Sequence, residues 1–123
     1  MKRAQLNDLR HLVQAKSDAD QANLSKLRRQ EAQLQDSISN LTSQQSHRAL
    51  ARSQDVDMAA VSGVDMRWEI WAEQRKKNLN QQLARLRVDI EQARFVAQKS
   101  FAQSQAAQEL CQTVKRPDGR YQE

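Results

Sequence analysis

The feature that most constrains this chain is the near absence of residues that break a helix. Across 123 residues there are two glycines, Gly63 and Gly119, and one proline, Pro117. An all-β fold needs a turn about every 8–12 residues, and this sequence lacks the residues to build them. Ala, Gln, Leu, Arg, Lys and Glu fill most positions, and all are good helix formers. Hydrophobic residues make up 38% of the chain and aromatics 4%, below the roughly 45–50% apolar content of a usual domain. The expectation is a thin all-α structure rather than a thick globule.

The spacing of apolar residues says how the helices pair. In the first half, Leu6, Leu9 and Val13 step by three and four, and so do Leu24, Leu27, Leu34, Ile38 and Leu41 with Glu31 at the missing core position. Eleven residues separate Val13 from Leu24. An eleven-residue step relaxes or reverses the left-handed winding of a heptad, so a stutter is expected near residues 14–23. Asp20 and Glu31 on the stripe are expected to weaken it, because a buried charge without a partner is costly.

In the second half, Val61, Val64, Trp68 and Trp71 form one run. Leu79, Leu83, Leu86, Ile90, Ala93 and Ala97 form another, which continues through Ser100, Ser104, Ala107, Cys111 and Val114. Large side chains fill this stripe up to Ile90 and small ones follow, so the Leu-rich stretch is expected to contribute most of the burial at about 25 cal/mol per Å². Phe95, Val96 and Phe101 are expected beside the seam, broadening it.

These stripes predict a long antiparallel two-helix coiled-coil hairpin over residues 1–116. Helix 1 is expected over about 4–45, the bend within 43–63, helix 2 over about 63–115, and a flexible tail over 117–123. Ser53-Gln54-Asp55 and Ser62-Gly63-Val64-Asp65 are the two candidate starts for the second helix. Each helix would be on the order of 70 Å long at 1.5 Å per residue. A two-helix rod buries little of itself, which motivates a partner or self-association.

Charge is unevenly spread within the net +5. Residues 1–54 carry +4, residues 55–73 carry −4, residues 74–99 carry +5, and the remainder is neutral. No apolar stretch reaches the ~18 residues of a membrane span, and the start Met1-Lys2-Arg3-Ala4-Gln5-Leu6 runs into Asn7, Asp8 and Arg10 without a signal-peptide core. A single cysteine, Cys111, fits a reducing compartment, and a cytoplasmic location is expected.

Chemistry is sparsely represented. His11 and His47 have no second histidine or cysteine at i+3 or i+4, against the four ligands that a zinc site needs. Asp18/Asp20 and Asp55/Asp57 are two apart and point to different helix faces. Cys111 has no nearby histidine and suits a small seam position. No glycine-rich phosphate loop is present. No enzyme activity, metal or cofactor is expected. The clusters Lys26/Arg28/Arg29, Arg75/Lys76/Lys77 and Arg85/Arg87 could meet phosphates, but acids are interspersed and no single-sided stripe emerges, so a protein-binding or solvated face is the favoured reading over nucleic acid.

The most informative stretch runs from Met66 to Asn80. It holds both tryptophans, Trp68 and Trp71, three apart on one helical face, next to Arg67, Arg75, Lys76 and Lys77. The rings could pack in the seam near the bend, or stand exposed as an anchor for a partner, where Trp and Arg are enriched. These six residues are the candidate partner-binding site.

Arg67-Trp68-Glu69-Ile70-Trp71 resembles the Arg-Trp-x-x-Tyr element that opens the second helix of the FliJ family, small coiled-coil proteins of flagellar and type III export. Glu31-Ala32-Gln33-Leu34 resembles the Gln-Leu step late in that family's first helix. Asn40 and Gln44 stand where the family often carries tyrosines that touch the export gate. The resemblance, mainly of shape over residues 4–114, implies a non-catalytic stalk in the ring of the export ATPase. It would couple that ring to the membrane-embedded export gate, or escort chaperones, peripherally at the inner face of the membrane. The other readings are a generic coiled-coil adaptor or self-associating structural protein and, behind it, a basic helical nucleic-acid-binding protein.

Overall fold

The computed structural model describes residues 2–54 and 58–114. It is all-α, with a helix α1 over Arg3–Gln54 and a helix α2 over Met58–Val114. α1 contains neither Gly nor Pro, so nothing interrupts its ladder over 52 residues. Its first turn is closed from both directions. The Leu6 N–H donates to the Lys2 carbonyl at 3.0 Å, and the Gln5 Oε1 accepts from the Lys2 N–H at 3.2 Å, the reach-back half of a capping box. Arg52 in the last turn of α1 suits the negative end of the helix dipole.

Both helices extend beyond their expected bounds around the bend. α1 continues to Gln54 rather than ending near residue 45, because its polar residues 42–46 are adequate helix formers even though they make a poor seam. Thr42 Oγ1 and Ser53 Oγ donate back to the carbonyls of Ile38 and Leu50, so Ser53 serves α1 and does not start a new helix. Gly63 lies inside α2 and a Cβ there would meet nothing within 4 Å, so Ser62-Gly63-Val64-Asp65 is not a helix start. The interval 55–57 between the helices, where the expected bend would lie, and the expected tail 117–123 are outside the described residues.

The chain divides into two compact units. The first joins the part of α1 up to Arg28 with the part of α2 from Asp89 on. Here α1 contributes Leu6, Arg10, Val13, Ser17, Asp20, Leu24 and Leu27 to the seam, all buried or half-buried. α2 contributes Ile90, Ala93, Ala97, Ser100, Ser104, Ala107, Cys111 and Val114, all buried. The pairing is antiparallel: Leu6 packs with Cys111 and Val114, Ser104 Oγ donates to Gln14 Oε1 at 2.8 Å, and the Cys111 thiol donates to the Leu6 carbonyl at 3.5 Å.

This unit corrects three expectations. The seam steps from Val13 to Leu24 through Ser17 and Asp20, four, three and four residues apart, which is an unbroken heptad. There is no stutter; the apolar signal lapses only because two consecutive core positions are polar. Ser17 is 2% exposed, as buried as any apolar neighbour. At the start of α1 the half-buried Arg10 takes the position assigned to Leu9, which is 37% exposed. Phe95, Val96 and Phe101 are exposed and do not broaden the core.

The second unit spans Arg29–Val88. Its middle is apolar, with Leu34, Ile38 and Leu41 from α1 and Leu79, Leu83 and Leu86 from α2. Glu31, on the stripe as expected, has a partner: Arg87 Nε donates to it at 3.2 Å. Toward the bend the seam becomes Gln45, Arg48 and Arg52 facing Asp65, Glu69, Ala72 and Lys76. Stepping back from Leu79 by three and four reaches Lys76, Ala72, Glu69 and Asp65. Val64 and Trp71 are one position off that register, and they stand 64% and 54% exposed. They are therefore not seam residues, contrary to the expectation from their own 3,4,3 spacing.

Candidate partner-binding surface

The charged end of the second unit decides where each candidate residue points. Asp65 is buried and sits between two guanidinium groups, Arg48 at 3.4 Å and Arg52 at 3.8 Å. Arg52 also reaches Glu69 at 3.5 Å. The Gln45 side-chain amide donates to Glu73 at 2.8 Å and to Glu69 at 3.3 Å. Lys76 Nζ donates to Gln45 Oε1 at 3.1 Å and lies 4.0 Å from Glu73. Every described carboxylate from Asp65 to Glu73 is thus drawn onto α1 or onto Lys76.

The six candidates separate into two sets. Trp68 is half-buried and the Arg48 guanidinium lies 4.0 Å from its ring centroid. A cation over an indole face contributes about 0.5–2 kcal/mol depending on desolvation, so Trp68 helps hold Arg48 where it meets Asp65. Lys76 is engaged as just described. Arg67, Trp71, Arg75 and Lys77 are exposed. The two indoles touch at 6.3 Å between centroids with planes tilted by 45°, within the range of favourable aromatic pairs. Trp68 packs, Trp71 stands outward, and the pair contact links them.

Several residues of this surface escaped the sequence reading. Val64, Met66 and Ile70 are each about two-thirds exposed. Val64 had been assigned to the core, and Met66 and Ile70 fit neither stripe. The signal that finds them is the heptad of Leu79 to Val114 extended backwards, which puts acids in the seam and leaves these apolar side chains outside. Arg48 was equally hidden, because nothing in the linear sequence pairs it with Trp68. Next to it, Ser43, Gln44 and His47 line a shallow depression on α1.

Elsewhere the chemistry is modest. No group of three or more His, Cys, Asp or Glu among the described residues is placed to hold a metal ion. Lys26, Arg28 and Arg29 are exposed. In the first unit, a hydrogen bond from Lys16 Nζ at 2.8 Å, with the Ser100 hydroxyl nearby, holds the Asp20 carboxyl below its usual range. No described helix is long and apolar enough to cross a membrane. A scan of protein-family models found no match to this chain, and neither curated proteins nor solved structures yielded a similar one.

Proposed function

We propose that this protein is a non-catalytic coiled-coil component of a flagellar or type III protein export apparatus, acting as a stalk that couples the export ATPase to the export gate or as an escort for chaperones. The observation that carries this reading is the Arg67-Trp68-Glu69-Ile70-Trp71 element near the start of α2. There Trp68 is anchored by Arg48 while Arg67 and Trp71 stay exposed. A two-stranded antiparallel pairing supports it, since the seam uses one stripe of each helix and leaves the others available for contact. Arg67, Arg75 and Lys77 would steer and orient the protein against a ring or gate more than they would tighten binding.

The test is to add the purified protein to the cognate export ATPase. Raised turnover or promoted ring assembly is the expected result; neither effect, together with no co-purification, would sink the reading. A self-associating structural protein is the second reading, favoured by Leu9, Leu12 and Leu110 standing exposed in the first unit. Light scattering that gives a dimer or higher bundle, without any effect on the ATPase, selects it.

A further inference from the structure

The sequence around the start of α2 is acidic by count, yet among the described residues the face it shows to solvent is not. Its described acids, Asp65, Glu69 and Glu73, are taken up by Arg48, Arg52, Gln45 and Lys76. Glu73 has an exposed side chain, but its Oε1 is turned onto Gln45 at 2.8 Å. Arg67, Arg75 and Lys77 have no acidic partner among the described residues and are exposed. Folding therefore sorts charge among the described residues: Asp65 and Glu69 go to the seam, Glu73 is turned onto Gln45, and the cations Arg67, Arg75 and Lys77 remain on the outer surface.

The apolar residues are sorted the same way. Val64, Met66, Ile70 and Trp71 are 54–66% exposed and share the outer surface with those cations. At 3.6 residues per turn these four side chains do not form one narrow stripe, and Arg67 lies among them. A partner helix packs against a continuous ridge, which this surface does not provide. A lipid interface accepts a broad face on which indole and aliphatic groups enter the headgroup boundary while Arg and Lys stems reach out to phosphates.

We propose that the outer face of α2 between Val64 and Lys77 is a docking surface for an anionic lipid bilayer, with Ile70 and Trp71 entering the headgroup region and Arg67, Arg75 and Lys77 meeting the lipid phosphates. The chain lies on the membrane by this face and does not cross it. This inference does not rest on the export reading: vesicle binding and ATPase stimulation are separate measurements, and either can fail alone.

The experiment uses the full chain with vesicles of phosphatidylcholine, with and without phosphatidylglycerol, in a flotation assay. Binding is expected only with phosphatidylglycerol, and it weakens as salt screens the charges. In a Trp68→Phe background, the fluorescence of Trp71 shifts to the blue on binding. Each basic residue near an anionic surface is worth about fivefold in partition, so Arg67→Gln and Lys77→Gln each lower binding by roughly that factor. Neither side chain is in an ion pair among the described residues, so helicity should be unchanged. Lys99→Gln, an exposed cation of the other unit, leaves binding intact. Absence of binding overturns the proposal, as does equal binding to neutral vesicles. Salt-sensitive binding of polyglutamate without vesicle binding overturns it in favour of an acidic protein segment.

Discussion

The two units use one heptad rule to different ends. In the first, the α2 side of the seam is Ala93, Ala97, Ser100, Ser104, Ala107 and Cys111, side chains small enough for near-complete burial. Ala97 and Ser100 are each 1% exposed, yet neither removes much apolar area from water. In the second, Leu34, Ile38, Leu41, Leu79, Leu83 and Leu86 bury far more area per layer, and the seam then changes to ion pairs around Asp65. A residue's degree of burial and the stabilisation it supplies are thus separate quantities. The first unit also holds Asn7 Oδ1 and Arg10 Nε buried without a hydrogen-bond partner, a cost of about 1–3 kcal/mol for each group.

Charge in the leucine layers breaks the comparison hardest. Leu83→Asp or Leu86→Asp places an unpaired carboxylate among leucines and should cost more than about 3 kcal/mol, visible as a collapse of the thermal melt followed by circular dichroism. An unchanged melt for both would mean the register is wrong. Next comes volume. Ala97→Leu overpacks the tight seam of the first unit and should cost about 1–3 kcal/mol, whereas Ala84→Leu, on the exposed surface of the second, should leave the melt within about 0.5 kcal/mol.

Removing the buried anion tests the ionic end. Asp65→Ala leaves Arg48 and Arg52 able to turn to solvent, since each is over one-third exposed, so the loss should be near 1 kcal/mol. The variant's stability should also depend less on salt than that of the parent. The smallest effect lies in the first unit. The hydrogen bond from Lys16, with the Ser100 hydroxyl nearby, depresses the Asp20 carboxyl below its ordinary value of 3.8. Its contribution is therefore present above that value and lost as pH falls through the lower folded value. Asp20→Asn should flatten the acid side of the stability profile in that window, and an identical profile would show that the Lys16 hydrogen bond does not persist in solution.

The stripe from Leu79 to Val114 could be read directly from the sequence, every position of it, because about ten successive turns of choice between apolar or small and polar residues left one register. The stripe of the first half was legible from Leu24 to Leu41 and misread before it, where Leu9 stands beside the seam position that Arg10 occupies. Ser17 and Asp20 hide the heptad between Val13 and Leu24, since a hydroxyl or carboxylate at a core position carries no apolar signal. The tryptophans misled in the opposite direction: Val64, Trp68 and Trp71 have core-like spacing but lie one residue out of phase with the seam.

The sequence by itself determined that this chain is helical and that its helices pair through heptad stripes, because the lack of Gly and Pro and the periodicity of Leu, Ile, Ala and Ser are local properties of the chain. Only the tertiary structure decided which side chains near the start of α2 face inward. Arg48 and Arg52 come from the other helix, and their attraction for Asp65 and Glu69 depends on a distance that exists only once the helices pair. That choice buries the acids and leaves Trp71, Ile70 and the cations Arg67, Arg75 and Lys77 facing out.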